Sequence, residues 1–329
     1  MNRLFILILL LSVSCSKHQP EQKVEIQKNK KVVIAHRGAS GYLPEHTLPA
    51  KAMAYAMGAD YLEQDVVLSK DDIPVVIHDI HLETVTDVAK KFPKKKRKDG
   101  KYYVIDFTFE ELKQLNVSER FDPATSKAVF PNRFPILTST FKLHSLQEEI
   151  EFIQGLNIST GKNIGIYPEI KDPAFHRKEG KDISKIVLKV LNDYGYKTKK
   201  DNCILQCFDA KELKRIRNEY KSELFLVQLM EFKTDEKLEE IATYADGIGP
   251  WYYQIIDGKD INGKWKITNL VANAHKLNLI VHAYTFRADQ LGDFNSFEAL
   301  LQVALYEANV DGVFTDFPDK AIGFIDKKQ

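Results

Sequence analysis

The chain has 329 residues, which is enough for one large domain or two small ones. Its hydrophobic content of 44% and charged content of 28% are ordinary for a globular protein. With a formal net charge of +1 the chain has no strong overall field of either sign, so we expect no nucleic-acid partner.

The first 15 residues have the pattern of an export signal. Arg3 precedes the apolar run 4–11, which is too short to span a bilayer, and small residues then lead to Cys15. This arrangement resembles a bacterial lipoprotein signal, although Ser12 stands where Leu is commoner. We predict a signal peptide over 1–15 and lipidation of Cys15, with plain signal cleavage as the alternative. The protein is then expected in the periplasm or cell envelope, attached to a membrane through this lipid.

The next segment, 16–31, is rich in Gln, Lys and Glu and lacks apolar patterning. We predict a flexible tether here, followed by a folded domain over 32–329. Cys203 and Cys207 fall in one apolar run, where four residues span roughly 13 Å of strand. That distance is too long for a disulfide, so we expect two buried free thiols.

Short apolar runs alternate with amphipathic helical stretches along the domain. The run Tyr61–Leu68 is joined to Pro74–Ile77 by a segment too short for a helix, which predicts an antiparallel hairpin. The remaining strand–helix units number eight, the count of a (β/α)8 TIM barrel of the α/β class. The strand candidates are Val32–Ala35, Tyr61–Leu68, Pro74–Ile77, Ile164–Ile170, Cys203–Phe208, Leu224–Leu229, Gly247–Pro250, Leu279–Thr285 and Gly312–Thr315.

Residues from about 80 to 143 break this alternation, so we predict an inserted subdomain between the second barrel strand and its helix. It contains a strand-like segment, Tyr102–Ile105, and a lysine-rich run over 90–98. The run is interpreted as a solvated loop, or alternatively as a basic lip that attracts anionic substrates or a membrane surface.

Three carboxylates stand near the ends of predicted strands. Glu63 and Asp65 are two positions apart on one strand and point the same way, and Glu169 ends another strand. At about 6–7 Å each pair would repel by roughly 2–3 kcal/mol. Such a cluster needs a cation, bound protons or basic neighbours, and its oxygen ligands suit Ca²⁺ or Mg²⁺. The alternative is an ion-paired barrel rim without metal.

Two imidazoles and two cations accompany these acids. His36 and His78 each close an apolar strand, so one could accept a proton while the other donates one. Arg37 offers a guanidinium for phosphate oxygens, and Lys171 could neutralise a phosphate or pair with Glu169. This set predicts metal-assisted cleavage of a phosphate ester.

Other candidates could form the walls of the site. Glu45 is favoured as a wall residue over a metal ligand, and His282 and Tyr284 could line the pocket or the core. The aromatic run 251–253 could form an apolar wall or simply pack a loop.

The chain resembles the glycerophosphodiester phosphodiesterase family, most closely its bacterial exported branch. The resemblance runs from residue 32 to the C-terminus, and its motifs are specific in combination. The matching segments are His36-Arg37-Gly38, Pro44-Glu45-His46-Thr47, Tyr61-Leu62-Glu63-Gln64-Asp65, His78-Asp79, Tyr167-Pro168-Glu169-Ile170-Lys171, Leu205-Gln206-Cys207-Phe208 and Gly312-Val313-Phe314-Thr315-Asp316-Phe317-Pro318.

The resemblance implies a TIM barrel with a small insertion and assigns roles to the residues above. It implies that His36 and His78 form the acid–base pair, and that one divalent metal, usually Ca²⁺ and sometimes Mg²⁺, is bound. It gives His46 no catalytic role. The implied metal ligands are Glu63, Asp65 and Glu169, and the implied phosphate ligands are Arg37 and Lys171.

The expected reaction is hydrolysis of glycerophosphodiesters, such as glycerophosphocholine or glycerophosphoethanolamine, to sn-glycerol 3-phosphate and an alcohol. One alternative is phospholipase D- or C-like action on intact lipid, which a lipid anchor and a basic loop would favour. Another is a surface lipoprotein that binds a partner and uses the barrel as a scaffold.

Overall fold

The computed structural model describes residues 30–231 and 237–328. The predicted signal peptide, the lipidation site Cys15 and nearly all of the tether lie outside these residues. Within the described ranges, no helix combines the length and the apolar composition that a bilayer span requires.

Eight parallel strands form a closed barrel, which confirms the predicted fold. Ring closure is visible at the first strand, where Val32 pairs with Gly312 on one side and Ile34 pairs with Tyr61 on the other. The barrel strands are β1 Val32–Ala35, β2 Tyr61–Leu68, β3 Gly165–Ile170, β4 Ile204–Cys207, β5 Phe225–Met230, β6 Gly247–Pro250, β7 Ile280–Phe286 and β8 Gly312–Thr315.

Alternation along each strand divides its side chains between two environments. On β2, Leu62 and Val66 face the surrounding helices, whereas Glu63 and Asp65 face the inside of the barrel. An apolar plug fills the interior beneath these acids. It consists of Ile34, Tyr167, Ile204, Val227 and Phe314.

The predicted hairpin is confirmed. Strand Pro74–Val76 returns antiparallel along β2, with Val66 opposite Val76, and ends one residue before the predicted boundary. The backbone N–H of Ile77 then donates to the carbonyl of Asp65 at 2.9 Å. This bond brings the next residue, His78, back to the acidic end of β2.

Helices surround the barrel and have clear sequence boundaries. Thr47 caps the first helix by accepting from the Ala50 N–H, and Gly58 ends it with φ 92°, a conformation that favours glycine. The outer helices are Leu48–Met57, Leu146–Thr160, Pro173–Lys178, Ile183–Asp193, Ala210–Asn218, Leu238–Ile241, Leu270–Lys276, Phe297–Gln302 with its π-helical continuation Val303–Glu307, and Pro318–Asp326.

The segment between the return strand and helix Leu146–Thr160 has a hydrophobic core of its own, to which Leu82, Phe107 and Leu112 contribute. This segment contains several short elements, and another hairpin follows β6. The short elements of these two regions are helices Val88–Lys91 and Phe109–Gln114, 3₁₀ turns Pro93–Lys95, Val104–Asp106 and Tyr252–Gln254, and strands Phe121–Asp122, Lys127–Ala128, Ile256–Lys259 and Trp265–Ile267.

The strand-like interpretation of Tyr102–Ile105 was wrong, because Val104–Asp106 forms a 3₁₀ turn. Tyr103 makes only an isolated antiparallel bridge with His81, and the buried residues Tyr102, Val104 and Ile105 pack into a core without forming a strand. In the lysine-rich run, Lys95 pairs with Glu111 at 2.5 Å, and Arg97 pairs with Asp106 at 2.7 Å. These contacts hold part of the run against the insertion itself.

Candidate active site

A cavity of about 230 Å³ lies at the C-terminal end of the barrel strands. All seven residues that the sequence suggested for catalysis, phosphate binding and metal binding line it. They are His36, Arg37, Glu63, Asp65, His78, Glu169 and Lys171. The remaining lining residues are Gln206, Phe208, Leu229, Trp251, Tyr284, Thr285, Arg287 and Phe314. One side of the cavity is therefore charged, and the other is largely aromatic and aliphatic.

The three predicted metal-binding carboxylates converge because of strand register. Glu169 on β3 stands directly opposite Asp65 on β2, and Glu63 is two residues earlier on the same face of β2. All three side chains are buried. Neighbouring parallel strands thus place acids from positions more than 100 residues apart in one cluster.

Burial and mutual repulsion disturb the titration of this cluster. Burial, reinforced by the charge of Asp65, raises the pKa of Glu63 well above its usual value, and burial raises the pKa of Glu169 to about 8. For Asp65, burial acts upward, but Lys171 and nearby histidines outweigh it and hold the pKa well below its usual value. The three carboxylates therefore resist simultaneous ionisation unless further positive charge is bound.

Two cations of the chain lie against the acids. Lys171 Nζ is 2.6 Å from Glu169 Oε1 and 3.6 Å from Asp65 Oδ1. The backbone N–H of Arg37 donates to Glu63 Oε2 at 2.6 Å, while its Nη1 donates to Glu45 at 2.9 Å. Arg37 Nε is buried with no hydrogen-bond partner, so this donor remains available to an anion in the cavity.

The two imidazoles are oriented by separate carboxylates. His36 Nδ1 is 2.6 Å from Asp316 Oδ1, and His78 Nδ1 is 2.6 Å from Asp79 Oδ1. Because Nδ1 of each ring is bonded to an aspartate, the Nε2 atom of each ring can accept or donate a proton in the cavity. Burial is the largest cause that lowers the pKa of both histidines, in each case to about 4, so both rings are neutral near pH 7.

Arginines that the sequence reasoning missed hold these carboxylates in place. Arg120 donates to Asp79 Oδ2 and to Glu45 Oε1, both at 2.6 Å. Arg133 and Arg287 each donate to Asp316 Oδ2 at 2.7 Å. Arg120 and Arg133 belong to the segment between the return strand and helix Leu146–Thr160. This segment therefore helps to fix the carboxylates that orient the two histidines.

Glu45 is part of the wall behind the site, as the sequence favoured, because both of its oxygens are bonded to arginines. His282 lies in the barrel interior, where its Nδ1 is 3.1 Å from the Tyr167 hydroxyl, so it belongs to the core. Tyr284 and Trp251 line the cavity.

The structure also brings an unexpected histidine to the acidic cluster. His46 Nε2 lies 2.7 Å from Asp65 Oδ2, and potential ligand atoms of His46, Glu63 and Asp65 lie within 4.8 Å of one another. The family resemblance gave His46 no catalytic role, and its position in a loop after Pro44 has no strand pattern that could place it at the cluster. Glu169, by contrast, is paired with Lys171.

These residues fit a divalent cation. Asp65 Oδ1 is buried without a hydrogen-bond partner, and unpaired buried acceptors are rare in proteins unless a ligand satisfies them. Carboxylate oxygens suit hard divalent ions, and imidazole is tolerated more readily by transition metals. Whether the third side chain beside Glu63 and Asp65 is Glu169 or His46 thus bears on which ion is preferred.

Paired imidazoles, clustered acids and two cationic side chains at the C-terminal end of a TIM barrel define a barrel enzyme of the acid–base type. Residues 36–320 match the glycerophosphoryl diester phosphodiesterase family, and the chain belongs to that family. The family and the enzyme class predicted from the sequence, a phosphoric diester hydrolase, are both confirmed.

Similar proteins support this assignment over nearly the whole chain. A glycerophosphodiester phosphodiesterase of Haemophilus influenzae is 45% identical over 94% of both chains. One from Treponema pallidum is 38% identical, over 91% of this chain and 93% of its own. An Oleispira antarctica phosphodiesterase, solved in complex with sn-glycerol 3-phosphate, has a TM-score of 0.63 at 22% identity and shares the fold over 90% of this chain and 96% of its own.

Proposed function

We propose that this protein hydrolyses glycerophosphodiesters, such as glycerophosphocholine and glycerophosphoethanolamine, to sn-glycerol 3-phosphate and an alcohol. The observation that carries the proposal is the meeting of two carboxylate-oriented imidazoles with an acidic cluster and two cations around one cavity. The names of the similar bacterial proteins, and the product bound to the Oleispira antarctica phosphodiesterase, agree with it.

In this proposal Arg37 and Lys171 bind the non-bridging oxygens of the phosphate. Arg37 Nε, which lies 3.5 Å from Asp65 Oδ2, is a buried donor without a hydrogen bond that a phosphate oxygen would satisfy. Lys171 lies on the same face of the cavity, beside Glu169. Together they would offset the negative charge that increases as the phosphorus centre is attacked.

His36 and His78 act as the acid–base pair. The glycerol hydroxyl next to the phosphate attacks phosphorus and gives its proton to one imidazole. As the new O–P bond forms, the bond to the departing alcohol breaks, and the other imidazole, whose protonated form the negative charge of the bound phosphate diester favours, protonates that oxygen. Water then opens the cyclic phosphate with the two roles exchanged.

Glu63, Asp65 and Glu169 are proposed to hold one divalent cation, with Ca²⁺ favoured and Mg²⁺ the alternative, and His46 is a candidate to join them. Such an ion supplies positive charge that stabilises the phosphorane-like transition state and polarises the phosphate. Its charge would also allow all three buried carboxylates to ionise together, which their mutual repulsion otherwise opposes.

The test is release of sn-glycerol 3-phosphate from glycerophosphocholine, with and without a chelator, followed by addition of Ca²⁺ or Mg²⁺. We expect chelation to abolish turnover and metal to restore it. His36→Ala should abolish turnover as well. The matched control is His275→Ala, since His275 also pairs with an aspartate, Asp311 at 2.9 Å, but lies outside the cavity. Full activity of His36→Ala, or of the chelated enzyme, would refute the proposal.

We propose further that the protein is exported and attached to a membrane through a lipid on Cys15. The apolar run and the position of the cysteine after small residues support this. Metabolic labelling with a fatty acid should mark the wild type and leave Cys15→Ala unlabelled. Equal labelling of both proteins would exclude this attachment site.

A further inference from the structure

Three buried glutamines lie on the barrel strands β2, β4 and β5, and they differ in how their carboxamides are hydrogen-bonded. Gln64 and Gln228 point outward and are fully bonded. Gln64 donates to Leu62 and Glu149 and accepts from the Tyr167 N–H, and Gln228 donates to the carbonyls of Cys207, Phe208 and Leu229 and accepts from the Tyr244 hydroxyl. These two carboxamides have structural roles.

Gln206 points the other way. It shares the inward face of β4 with Ile204, and its side chain lines the active-site cavity. The residue is only 1% exposed, yet its Oε1 accepts no hydrogen bond from any described residue. A buried acceptor without a partner is unfavourable by roughly 1–3 kcal/mol, so such groups in native proteins usually meet a ligand or an ordered water.

Two other buried atoms of the cavity lining make no hydrogen bond: Arg37 Nε, which lies 3.5 Å from Asp65 Oδ2, and Asp65 Oδ1, which lies 3.6 Å from Lys171 Nζ. In the proposed function the first binds a phosphate oxygen and the second binds the cation. Gln206 Oε1 is therefore the unpartnered cavity atom that this function leaves without a role. Its residue stands opposite Glu169 in the sheet, and the strands that follow contribute Leu229 and Trp251, so it lies where the charged wall meets the apolar wall.

The chemistry of the group indicates what it binds. A neutral carboxamide can donate and accept, which matches a hydroxyl group, whichever way the amide plane is turned. A trimethylammonium headgroup offers no N–H or O–H donor, and a phosphate oxygen only accepts. Of the two glycerol hydroxyls, the one next to the phosphate is used in the attack, which leaves the terminal hydroxyl to be bound.

We infer that Gln206 is a substrate-binding residue that holds the terminal hydroxyl of the glycerol moiety, an inference that rests on the proposed function. It would make the enzyme select a glycerol ester over an alkyl ester of the same size. Sites built to bond a hydroxyl discriminate in this way, because the analogue without the hydroxyl leaves the buried amide unpaired.

The test is a cycle of two proteins and two substrates. Gln206→Met keeps the length of the side chain and removes its amide. The substrates are glycerophosphocholine and its analogue without the terminal hydroxyl, which keeps the attacking one. We expect either change alone to lower kcat/KM by about 10-fold, the equivalent of one neutral hydrogen bond, and both together to lower it no further.

Gln302→Met is the matched control, because Gln302 also has a buried Oε1 without a partner but lies outside the cavity. It should leave kcat/KM unchanged on both substrates. The thermal midpoint of Gln206→Met should equal or exceed that of the wild type, since an unpaired polar atom is removed. The Gln206→Met penalty should also be the same for glycerophosphocholine and glycerophosphoethanolamine.

Three results would overturn the inference while leaving the proposed function intact. The first is a Gln206→Met penalty that persists in full on the analogue. The second is a penalty confined to glycerophosphoethanolamine, which would place the amide at the headgroup ammonium. The third is a large loss of Ca²⁺ affinity for Gln206→Met in calorimetry, which would make it a metal ligand. A wild type inactive on glycerophosphocholine would refute both proposals.

Discussion

Asp316→Asn is the substitution whose effect follows most directly from the structure. The Asp316 carboxylate is fully enclosed, with Oδ1 2.6 Å from His36 Nδ1 and Oδ2 bonded to Arg133 and Arg287. When His36 takes up a proton, this carboxylate is its counter-charge. Charge centres about 4 Å apart at an effective dielectric near 20 attract by roughly 4 kcal/mol, or about a thousandfold in rate.

An asparagine would also reverse the local hydrogen bond. Its amide N–H would donate to His36 Nδ1 and move the ring proton to Nε2, where a proton must instead be accepted. We therefore expect kcat to fall by about 10²–10⁴. Since Asp316 acts to raise the pKa of His36, its loss lowers that pKa further, and the acid limb of any residual rate–pH profile should move to lower pH.

Asp289→Asn provides the matched control. Asp289 binds the same arginine, Arg133, at 2.8 Å, but has no bond to the histidine. This variant should keep kcat within a few-fold while its thermal midpoint falls. The assay is steady-state release of sn-glycerol 3-phosphate, with circular dichroism as the check on folding. If Asp316→Asn folds and turns over normally, or if both variants lose activity equally, the orienting role of Asp316 is wrong.

Three further predictions concern the metal, acid stability and the thiols. If Glu169 completes the cation site, Glu169→Gln should weaken Ca²⁺ binding in calorimetry by at least 10-fold, whereas His46→Gln should weaken it only if the imidazole is a ligand. Burial acts to raise the pKa of Glu149, but a buried lysine and histidine lower it to about 2, so its stabilisation, about 3 kcal/mol, should be lost as pH falls from 4.5 to 2 in urea titrations. Cys203 and Cys207 should react with a thiol reagent only upon unfolding.

The acid-stability prediction has a matched control, and each of the three predictions has an outcome that would contradict it. Glu151→Gln, on the same helix as Glu149 but exposed, should leave the free energy of unfolding nearly unchanged. A Glu149→Gln variant as stable as the wild type at pH 7 would contradict the reasoning, because it would leave the lysine buried without its carboxylate. Unchanged Ca²⁺ affinity after Glu169→Gln would remove Glu169 from the ligand set. If the cysteines of the folded protein reacted as fast as an exposed cysteine does, their burial would be contradicted.

Much of the barrel could be predicted from the sequence, because its signals are local. Strands buried on both faces appear as short apolar runs, and the five-residue link 69–73 leaves room only for a hairpin. Side chains alternate between the two faces of a strand, so the sequence alone predicts that Glu63 and Asp65 lie on the same face. The position of Glu169 beside them followed from the rule that parallel strands end at the same edge of the barrel.

The tertiary structure decided what surrounds these groups. His46 reaches Asp65 from a loop with positive φ, and Arg120 and Arg133 reach the site from the insertion. Such contacts join residues between 19 and 183 positions apart and have no periodicity along the chain. Even the contrast between Gln206 and Gln228 depends on which neighbouring groups lie within bonding distance of each amide. Periodicity assigns a side chain to a face, but only the packed fold determines its partners.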